Sequence, residues 1–325
     1  MKDGNSRGIE YLRISVTDRC NFRCLYCMPE EGIESISHKD ILTFDEIERV
    51  VRIMAKLGVK KIKLTGGEPL VRKNLVHLVK DIHSIPGIEE ITLTTNGFLL
   101  NNQLEALIEA GMTSINISLD TLNKQRFEEI TRVDGMEEVL KAIYKTAHSP
   151  LKSVKVNALV AQNLNEEDLI RLVTLAKDDP IHVRFIELMP IGLGKTLKPI
   201  KKEELMQRME SVYGQLIPYT GRLGNGPSKY YTLDGFKGKI GFISAISECF
   251  CEKCNRIRLT SEGFLKLCLH SAKGIDLKEP LRQGMVDEEL EKMIMDAIQD
   301  KPVRHQFGEI ANSPIEKRVM AQIGG

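Results

Sequence analysis

The chain has 325 residues, and its 46 lysines and arginines nearly balance 45 aspartates and glutamates, which leaves a formal charge of +1. This balance, together with an aromatic content of 5%, argues against nucleic acid or an anionic membrane as a partner. No apolar run reaches the ~18 residues of a membrane span. Seven cysteines, an odd number, fit poorly with a secreted disulfide framework in a chain of this length. We therefore expect a cytoplasmic globular protein with reduced cysteines.

Short strand patterns alternate with helical patterns along the first part of the chain. The clearest helix begins after Thr43, which has capping-box spacing to Glu46, and it ends before Gly58. Alternating strands and helices favour parallel strands joined by right-handed crossovers, and six such units are too few for an eightfold barrel. The sequence thus predicts an α/β fold built as an open, partial barrel of six βα units. The strands are predicted at 12–16, 61–65, 91–95, 114–119, 153–159 and 182–189, and further helices at 134–147 and 165–177.

Apolar and polar residues alternate along these strands, which is unusual for parallel strands covered by helices. In the first strand, Leu12 and Ile14 alternate with Arg13. If the apolar faces meet the helices, the polar faces line a common lumen that contains Arg13, Lys63 and Lys155. The alternative is a set of one-sided antiparallel strands with a solvated face, which the intervening helices argue against.

The pattern changes at 219–231, a segment rich in glycine and proline. Strand patterns at 230–233 and 239–244 flank Asp234-Gly235 and predict an antiparallel hairpin, and a helix is predicted at 287–298. We expect a barrel core over residues 1–218 and a smaller α+β region over 219–325 that closes the mouth of the barrel.

Cys20, Cys24 and Cys27 form a first cysteine group, with the spacing C-x3-C-x2-C in the loop after the first strand. Three thiolates from one short loop can hold an iron-sulfur cluster, which takes four ligands, and leave one iron open. Structural zinc is the alternative, but it needs a fourth protein ligand, and the nearby His38 lies eleven residues beyond Cys27.

Cys251, Cys254 and Cys268 form a second group, with the spacing C-x2-C-x13-C. This spacing suits a cluster or, with His270 nearby, a zinc ion, and the spacing alone does not decide between them. Cys249 lies two residues before Cys251. We interpret Cys249 as a thiol with no role in either group.

The run VTDRCNFRCLYCMPE and the segment TGGEP at 65–69 resemble the radical S-adenosylmethionine (radical SAM) superfamily. The second cysteine group, the residues 255–258 inside it and the terminal Gly324-Gly325 are similar to the branch of that superfamily that cyclises GTP. The similarity extends over essentially the whole chain. It implies a lyase that converts GTP to 3′,8-cyclo-7,8-dihydro-GTP in the first step of molybdenum cofactor (molybdopterin) biosynthesis.

The resemblance also implies the cofactors and their sites. It places one 4Fe-4S cluster on each cysteine group, with S-adenosylmethionine (SAM) as the further cofactor and GTP as the substrate. No residue is assigned as an acid or base, because the reaction is radical chemistry at the clusters. Lys63 stands where the family commonly has arginine, so it keeps the charge without the bidentate geometry. The implied SAM contacts are Tyr26, Gly67, Ser118 and Met189, and the implied GTP contacts are Arg13, Lys63, Thr94, Lys155, Arg256 and Arg258.

By the same resemblance we expect a homodimer, an electron donor of flavodoxin or ferredoxin type, and a following enzyme of the pathway that takes the product. The tail that ends at Gly324-Gly325 is expected to reach into the active site. A first alternative is a peptide maturase of the same superfamily with an auxiliary cluster. Such an enzyme should need a peptide-recognition region, and no extra domain is evident before Cys20. A second alternative is a zinc-binding module without catalysis.

Overall fold

The computed structural model describes residues 1–307 other than 222 and 225, together with 316 and 318–324. Its strands are β1 (Tyr11–Ser15), β2 (Lys61–Thr65), β3 (Glu90–Thr95), β4 (Ser114–Ser118), β5 (Ser153–Val160), β6 (Ile181–Glu187), β7 (Ile217–Tyr219), β8 (Lys229–Thr232), β9 (Ile240–Ile243), β10 (Arg256–Leu259), β11 (Phe264–Lys266) and β12 (Gly274–Asp276). Its α-helices are α1 (Phe44–Lys56), α2 (Leu75–Ser84), α3 (Leu104–Glu109), α4 (Lys124–Thr131), α5 (Met136–Ala147), α6 (Leu169–Leu172), α7 (Lys202–Tyr213), α8 (Lys278–Arg282), α9 (Asp287–Gln299) and α10 (Met320–Ile323). None of the helices in these residues is long and apolar enough to cross a membrane.

The strands form one open sheet in the order β12-β11-β10-β1-β2-β3-β4-β5-β6-β9-β8-β7. Strands β1 to β6 pair in chain order and all in parallel, with helical segments between them. The predicted open barrel of six βα units is therefore confirmed, and the antiparallel alternative is wrong. The predicted hairpin is also present, because β8 and β9 pair antiparallel.

The C-terminal strands extend both edges of this sheet. Strand β10 pairs in parallel with β1, and β9 pairs in parallel with β6. The hydrogen-bonding edges of β1 and β6 are thereby covered, which removes two exposed strand edges from the core. The second cysteine group, on the segment around β10, is thereby brought beside the start of β1, at the end of the strand opposite the loop that carries the first group.

Helix α1 begins where the sequence predicted. The Thr43 hydroxyl accepts a hydrogen bond from the Glu46 N–H at 3.1 Å, and the Glu46 carboxylate accepts one from the Thr43 N–H at 2.7 Å. A capping residue of this kind contributes about 1 kcal/mol to helix stability. The helix ends before Gly58, whose φ of 96° suits the left-handed conformation that glycine adopts easily. Its buried stripe, which packs into the core, consists of Ile47, Val50, Val51, Ile53 and Met54.

The helix predicted at 165–177 is shorter than expected. The α-helical part is α6, which continues as a 3-10 helix over Val173–Ala176. The reason lies at Asn165, whose side-chain amide donates to the carbonyl oxygens of Asp120 at 2.9 Å and of Leu159 at 2.7 Å. These bonds hold Asn165 against the ends of β4 and β5, so the chain turns there before the helix starts.

The apolar positions of the alternating strands are buried in the core, as predicted. Leu12 and Ile14 of β1, like Ile62 and Leu64 of β2, are 0% exposed and belong to the hydrophobic core. The polar positions between them face the inside of the curved sheet, where they meet side chains from the other strands.

Candidate active site

A cavity of about 420 Å³ lies within the curved sheet. It receives the loops that follow β1, β2, β3, β4 and β6, and it extends to the second cysteine group. Ligand sites of α/β proteins usually form where such loops meet at the carboxyl ends of parallel strands. The residues predicted to bind metal, SAM or GTP all line this cavity: Cys20, Cys24, Cys27, Cys251, Cys254, Cys268, Tyr26, Gly67, Ser118, Met189, Arg13, Lys63, Thr94, Lys155, Arg256 and Arg258.

The first cysteine group lies in the loop after β1, and its thiols are free. Burial raises the pKa of Cys20 to about 11. Burial raises the pKa of Cys27 to about 12, and the charge of Cys20 adds a smaller increase. Burial is also the main cause that raises the pKa of Cys24, and Cys27 is the next largest. Without a cation the thiols therefore keep their protons, and a bound metal would stabilise the thiolate form.

Neither predicted group has its three sulfur atoms at the spacing of a single-ion site. A zinc ion with Zn–S bonds of about 2.3 Å holds its ligand atoms within roughly 4 Å of one another. In the described part of the chain, three potential ligand atoms come within 4.8 Å of one another only at Cys249, Cys251 and His305. The three thiols of each predicted group are more widely spaced than this, and a cluster of several metal ions takes thiolates that are further apart than a single ion does.

Cationic side chains surround the second cysteine group. Burial favours the neutral thiol of Cys254, but Lys301 and Arg256 outweigh burial and lower its pKa. The guanidinium of Arg7 donates to the Cys251 carbonyl oxygen at 2.8 Å, and the Lys301 ammonium donates to the Arg256 carbonyl oxygen at 2.8 Å. These contacts stabilise the loop. The nearby cations favour the thiolate form of Cys254, whereas burial raises the pKa of Cys251 to about 12.

Buried cations concentrate in the middle of the cavity. Burial lowers the pKa of Lys63 well below its usual value, and Arg13 and Arg184 lower it further. Burial also lowers the pKa of Lys155 to about 7, with Arg184 adding to the effect. Burial lowers the pKa of Arg258, and the positive charge of Arg13 lowers it further. Such crowded positive charge is unfavourable without a counter-ion, and a polyanion such as a triphosphate relieves it.

Gly66 and Gly67 allow the loop after β2 to contact the loop that carries the first cysteine group. The Gly67 N–H donates to the Thr17 carbonyl oxygen at 2.7 Å. A Cβ at Gly67 would lie 2.4 Å from the Arg19 carbonyl oxygen, and one at Gly66 would lie 2.6 Å from the Thr17 carbonyl oxygen. These positions therefore have no room for a side chain.

Three charged residues of the cavity were missed by the sequence interpretation. Arg184 on β6 is buried, and its Nε donates to the Asn157 amide oxygen at 2.8 Å. The two-residue alternation of β6 places it on the polar face, and this signal could have identified it. Burial raises the pKa of Glu68 to about 7 and that of Asp120 to about 6.

Glu68 and Asp120 connect the predicted SAM side of the cavity to the sheet. The Glu68 carboxylate accepts hydrogen bonds from the Thr95 hydroxyl and the Asn96 N–H, both at 2.7 Å. The Tyr26 hydroxyl donates to the Asp120 carboxylate at 2.7 Å. Tyr26 is thereby held in one orientation, with its ring at the cavity wall.

The C-terminal segment enters the same cavity. Met320 lines it, and the Ala321 N–H donates to the Cys27 thiol of the first cysteine group. The Arg258 guanidinium donates to the Gly324 carbonyl oxygen, while Gly325 lies outside the described residues. The segment thus contacts both a cysteine of the first group and a predicted substrate contact.

Two family models match consecutive parts of the chain. A family model described as the Radical SAM superfamily matches residues 14–176, and one described as Molybdenum Cofactor Synthesis C matches residues 181–307. A protein of Clostridium perfringens (strain 13 / Type A) named GTP 3′,8-cyclase is 48% identical over 325 residues, with 100% of both chains covered. A protein of the same name from Pelotomaculum thermopropionicum is 47% identical over 328 residues and also covers 100% of both chains.

Solved structures show the same fold at low sequence identity. Streptococcus suis SuiB bound to S-adenosylmethionine is 15% identical, with a TM-score of 0.65 over 90% of this chain and 68% of that chain. SuiB bound to the precursor peptide SuiA is also 15% identical, with a TM-score of 0.61 over 90% of this chain and 71% of that chain. At this identity the likeness extends to the fold and not to the ligands.

Proposed function

The chain belongs to the GTP 3′,8-cyclase family of radical SAM enzymes, and from this premise we propose that it cyclises GTP to 3′,8-cyclo-7,8-dihydro-GTP, the first step of molybdenum cofactor biosynthesis. One observation carries the proposal. Two separate groups of three cysteines, each wider than a single-ion site, line one cavity together with buried cations. This family membership leaves the peptide maturase and the non-catalytic zinc module without support.

We assign the first cluster to Cys20, Cys24 and Cys27. When bound, that cluster and SAM supply the radical chemistry that removes a hydrogen atom from the ribose of GTP. The chain positions SAM through Tyr26, Gly67, Ser118 and Met189, which line the cavity beside this cysteine group. The bond from Tyr26 to Asp120 restricts its ring to one orientation, which supports a positioning role.

On the substrate side, the buried cations bind the phosphates of GTP. Arg13, Arg256 and Arg258 offer planar guanidinium groups that suit two-point contact with phosphate oxygens, whereas Lys63 and Lys155 each offer a single ammonium. Thr94 adds a hydroxyl at the cavity wall. Cys251, Cys254 and Cys268 line the same space and would hold the second cluster, which would supply a binding position for the guanine base. Because the cations are buried and fixed before binding, little reorganisation is needed when GTP enters.

We also propose the compartment, the oligomeric state, the partners and the roles of the two parts of the chain. The free thiols suit a reducing compartment such as the cytoplasm. We further propose a homodimer, a flavodoxin or ferredoxin as the electron donor, and a following enzyme that takes the cyclised nucleotide. Residues 1–218 would act as the radical SAM core, and residues 219–325 would carry the second cluster and the tail.

Anaerobic reconstitution tests the proposed function through the iron count. Two 4Fe-4S clusters correspond to about eight irons per chain, and Cys24→Ala or Cys254→Ala should each reduce the count to about four. Cys249→Ser is the matched control and should keep the full count. The reduced wild-type protein should then form 5′-deoxyadenosine from SAM only when GTP is present. One cluster or none in the wild type, or 5′-deoxyadenosine formation that does not require GTP, would contradict the proposal.

A further inference from the structure

A second kind of metal site lies beside the second cysteine group. The ligand atoms of Cys249, Cys251 and His305 all lie within 4.8 Å of one another. Cys249 is exposed to solvent, whereas Cys251 and His305 are partly buried. The Cys249 and Cys251 thiols also form a hydrogen bond with each other. Two thiols and an imidazole at this spacing match the ligand set of a single tetrahedral ion.

The hydrogen bonds of His305 prepare its ring for a metal ion. Its Nε2 lies 2.8 Å from the Ala245 carbonyl oxygen. Because a carbonyl oxygen only accepts, Nε2 carries the proton, and the lone pair is on Nδ1. Metal-binding histidines are commonly held in this way, with the second ring nitrogen donating to a backbone carbonyl. Among the hydrogen bonds of the described residues, Nδ1 accepts only a long one of 3.4 Å from the Phe307 N–H.

The surroundings also suit a thiolate-bound ion. The ring of Phe307 packs at 4.7 Å from the ring of His305 and at 4.4 Å from that of His270, which forms an apolar wall on one side. On the other side the exposed Cys249 leaves access from solvent for the ion and for a fourth, water ligand. Cys251 belongs both to this set and to the second cysteine group, so it cannot serve a single ion and a complete cluster at the same time.

We propose that the chain without its second cluster binds one thiophilic divalent cation, of the class of Zn²⁺, through Cys249, Cys251 and His305, and that this ion blocks assembly of the second cluster. The binding step exchanges the two thiol protons for the cation, so no electron is transferred. The blocking step rests on the proposed function, because it requires Cys251, Cys254 and Cys268 to hold a cluster.

Co²⁺ is a suitable probe, because tetrahedral thiolate coordination gives it visible absorption bands and a thiolate charge-transfer band. The full-length chain with Cys20→Ala, Cys24→Ala and Cys27→Ala, which lacks the first group, is freed of iron and titrated with Co²⁺. We expect one Co²⁺ per chain with these bands. Adding Cys249→Ser or His305→Gln should weaken Co²⁺ binding about tenfold or more, since even loss of a group that supports a metal ligand has an effect of this size.

Competition with iron then tests the blocking step. One equivalent of Zn²⁺ added before anaerobic reconstitution should reduce the iron bound at the second group of the parent chain, and Cys249→Ser should restore that iron to the level without Zn²⁺. Unchanged Co²⁺ affinity in Cys249→Ser, or iron loading insensitive to Zn²⁺, would overturn the proposal. Loss of iron in Cys249→Ser without Zn²⁺ would also overturn it, because Cys249 would then be a ligand of the cluster.

The two proposals fail in different ways. If the parent chain takes up no iron with or without Zn²⁺, the proposed function fails together with the blocking step, and the Co²⁺ titration still decides whether the ion site exists. If iron loads normally but Co²⁺ binding does not depend on Cys249, only the ion site is refuted.

Discussion

Lys266 and Glu316 form a buried ion pair that holds the C-terminal segment beside the cavity. The Lys266 side chain is 0% exposed and that of Glu316 is 4% exposed. The Lys266 ammonium has one other contact among the described residues, to the Ser271 carbonyl oxygen at 2.7 Å. Glu316→Gln keeps the shape of the side chain but removes the charge that compensates this buried ammonium. An uncompensated buried charge is strongly destabilising.

The size of the effect follows from the pKa of Glu316. Burial opposes its ionisation, but Arg318 and Lys266 outweigh burial and lower the pKa from 4.5 to about 2. At about 1.4 kcal/mol per pKa unit, the carboxylate contributes about 3 kcal/mol to the free energy of unfolding near neutral pH. Because the pKa is lower in the folded state, this stability is present above pH 4.5 and is lost as the pH falls toward about 2.

Urea unfolding of the anaerobic full-length protein, followed by circular dichroism, measures this difference. Glu316→Gln should lower the free energy of unfolding by about 3 kcal/mol at pH 7, and the difference should shrink as the pH falls below about 4. Amide exchange at 318–324 should become faster, since the ion pair fastens that segment. Glu291→Gln, which removes the partner of Lys56 in an exposed ion pair, is the matched control and should change stability little. A loss in Glu316→Gln no larger than in this control, or one that does not depend on pH, would refute the reasoning.

Three further predictions concern the cavity. Gly67→Ala should weaken SAM binding by about a hundredfold in equilibrium dialysis, because its Cβ would collide with the Arg19 backbone and displace the loop. Gly8→Ala is the control and should leave SAM binding unchanged, because a Cβ there meets nothing within 4 Å. GTP binding should take up protons at pH 8 and fewer at pH 6, because the free chain lowers the pKa of Lys155 to about 7 and also lowers that of Lys63, and phosphate favours the charged form of both. Calorimetry in buffers of different ionisation enthalpy measures the uptake at pH 8. Lys155→Met should reduce it by about one proton, whereas Lys152→Met should leave it unchanged. Arg258→Lys should weaken GTP binding about tenfold or more through loss of a charge-assisted contact, while SAM binding stays unchanged. Equal GTP affinity in the wild type and this variant would contradict the assignment of Arg258 as a GTP contact.

The local features of the fold were predictable because neighbouring residues establish them. The Thr43–Glu46 capping box and the Asp234-Gly235 hairpin each depend on a few adjacent side chains, and both are present. The strand at 61–65 matches β2 at both ends. The prediction of a helix at 165–177 was wrong at its start, where Asn165 bonds to the Leu159 carbonyl oxygen and also to that of Asp120, which is 45 residues away in sequence. A local pattern contains no information about such bonds.

The candidate site also contains residues that the sequence predicted and residues that it did not. Cysteine spacing identified two groups of three ligands, and strand alternation identified the faces that carry Arg13, Lys63 and Lys155, because both properties repeat over short distances along the chain. Arg184 was missed, although the alternation of β6 contains the signal for it. Cys249 was interpreted as a thiol without a role, yet it lies near His305, which is 56 residues away in sequence.

Short-range chemistry in the sequence therefore established the type of each element, the polarity of each strand face and the presence of two separate thiol groups. The meeting of those groups in one cavity depends on the pairing of β10 with β1 and of β9 with β6, which joins strands from distant parts of the chain. Strand partners are selected by packing and hydrogen bonding over the whole sheet, so no short stretch of the sequence specifies them by itself.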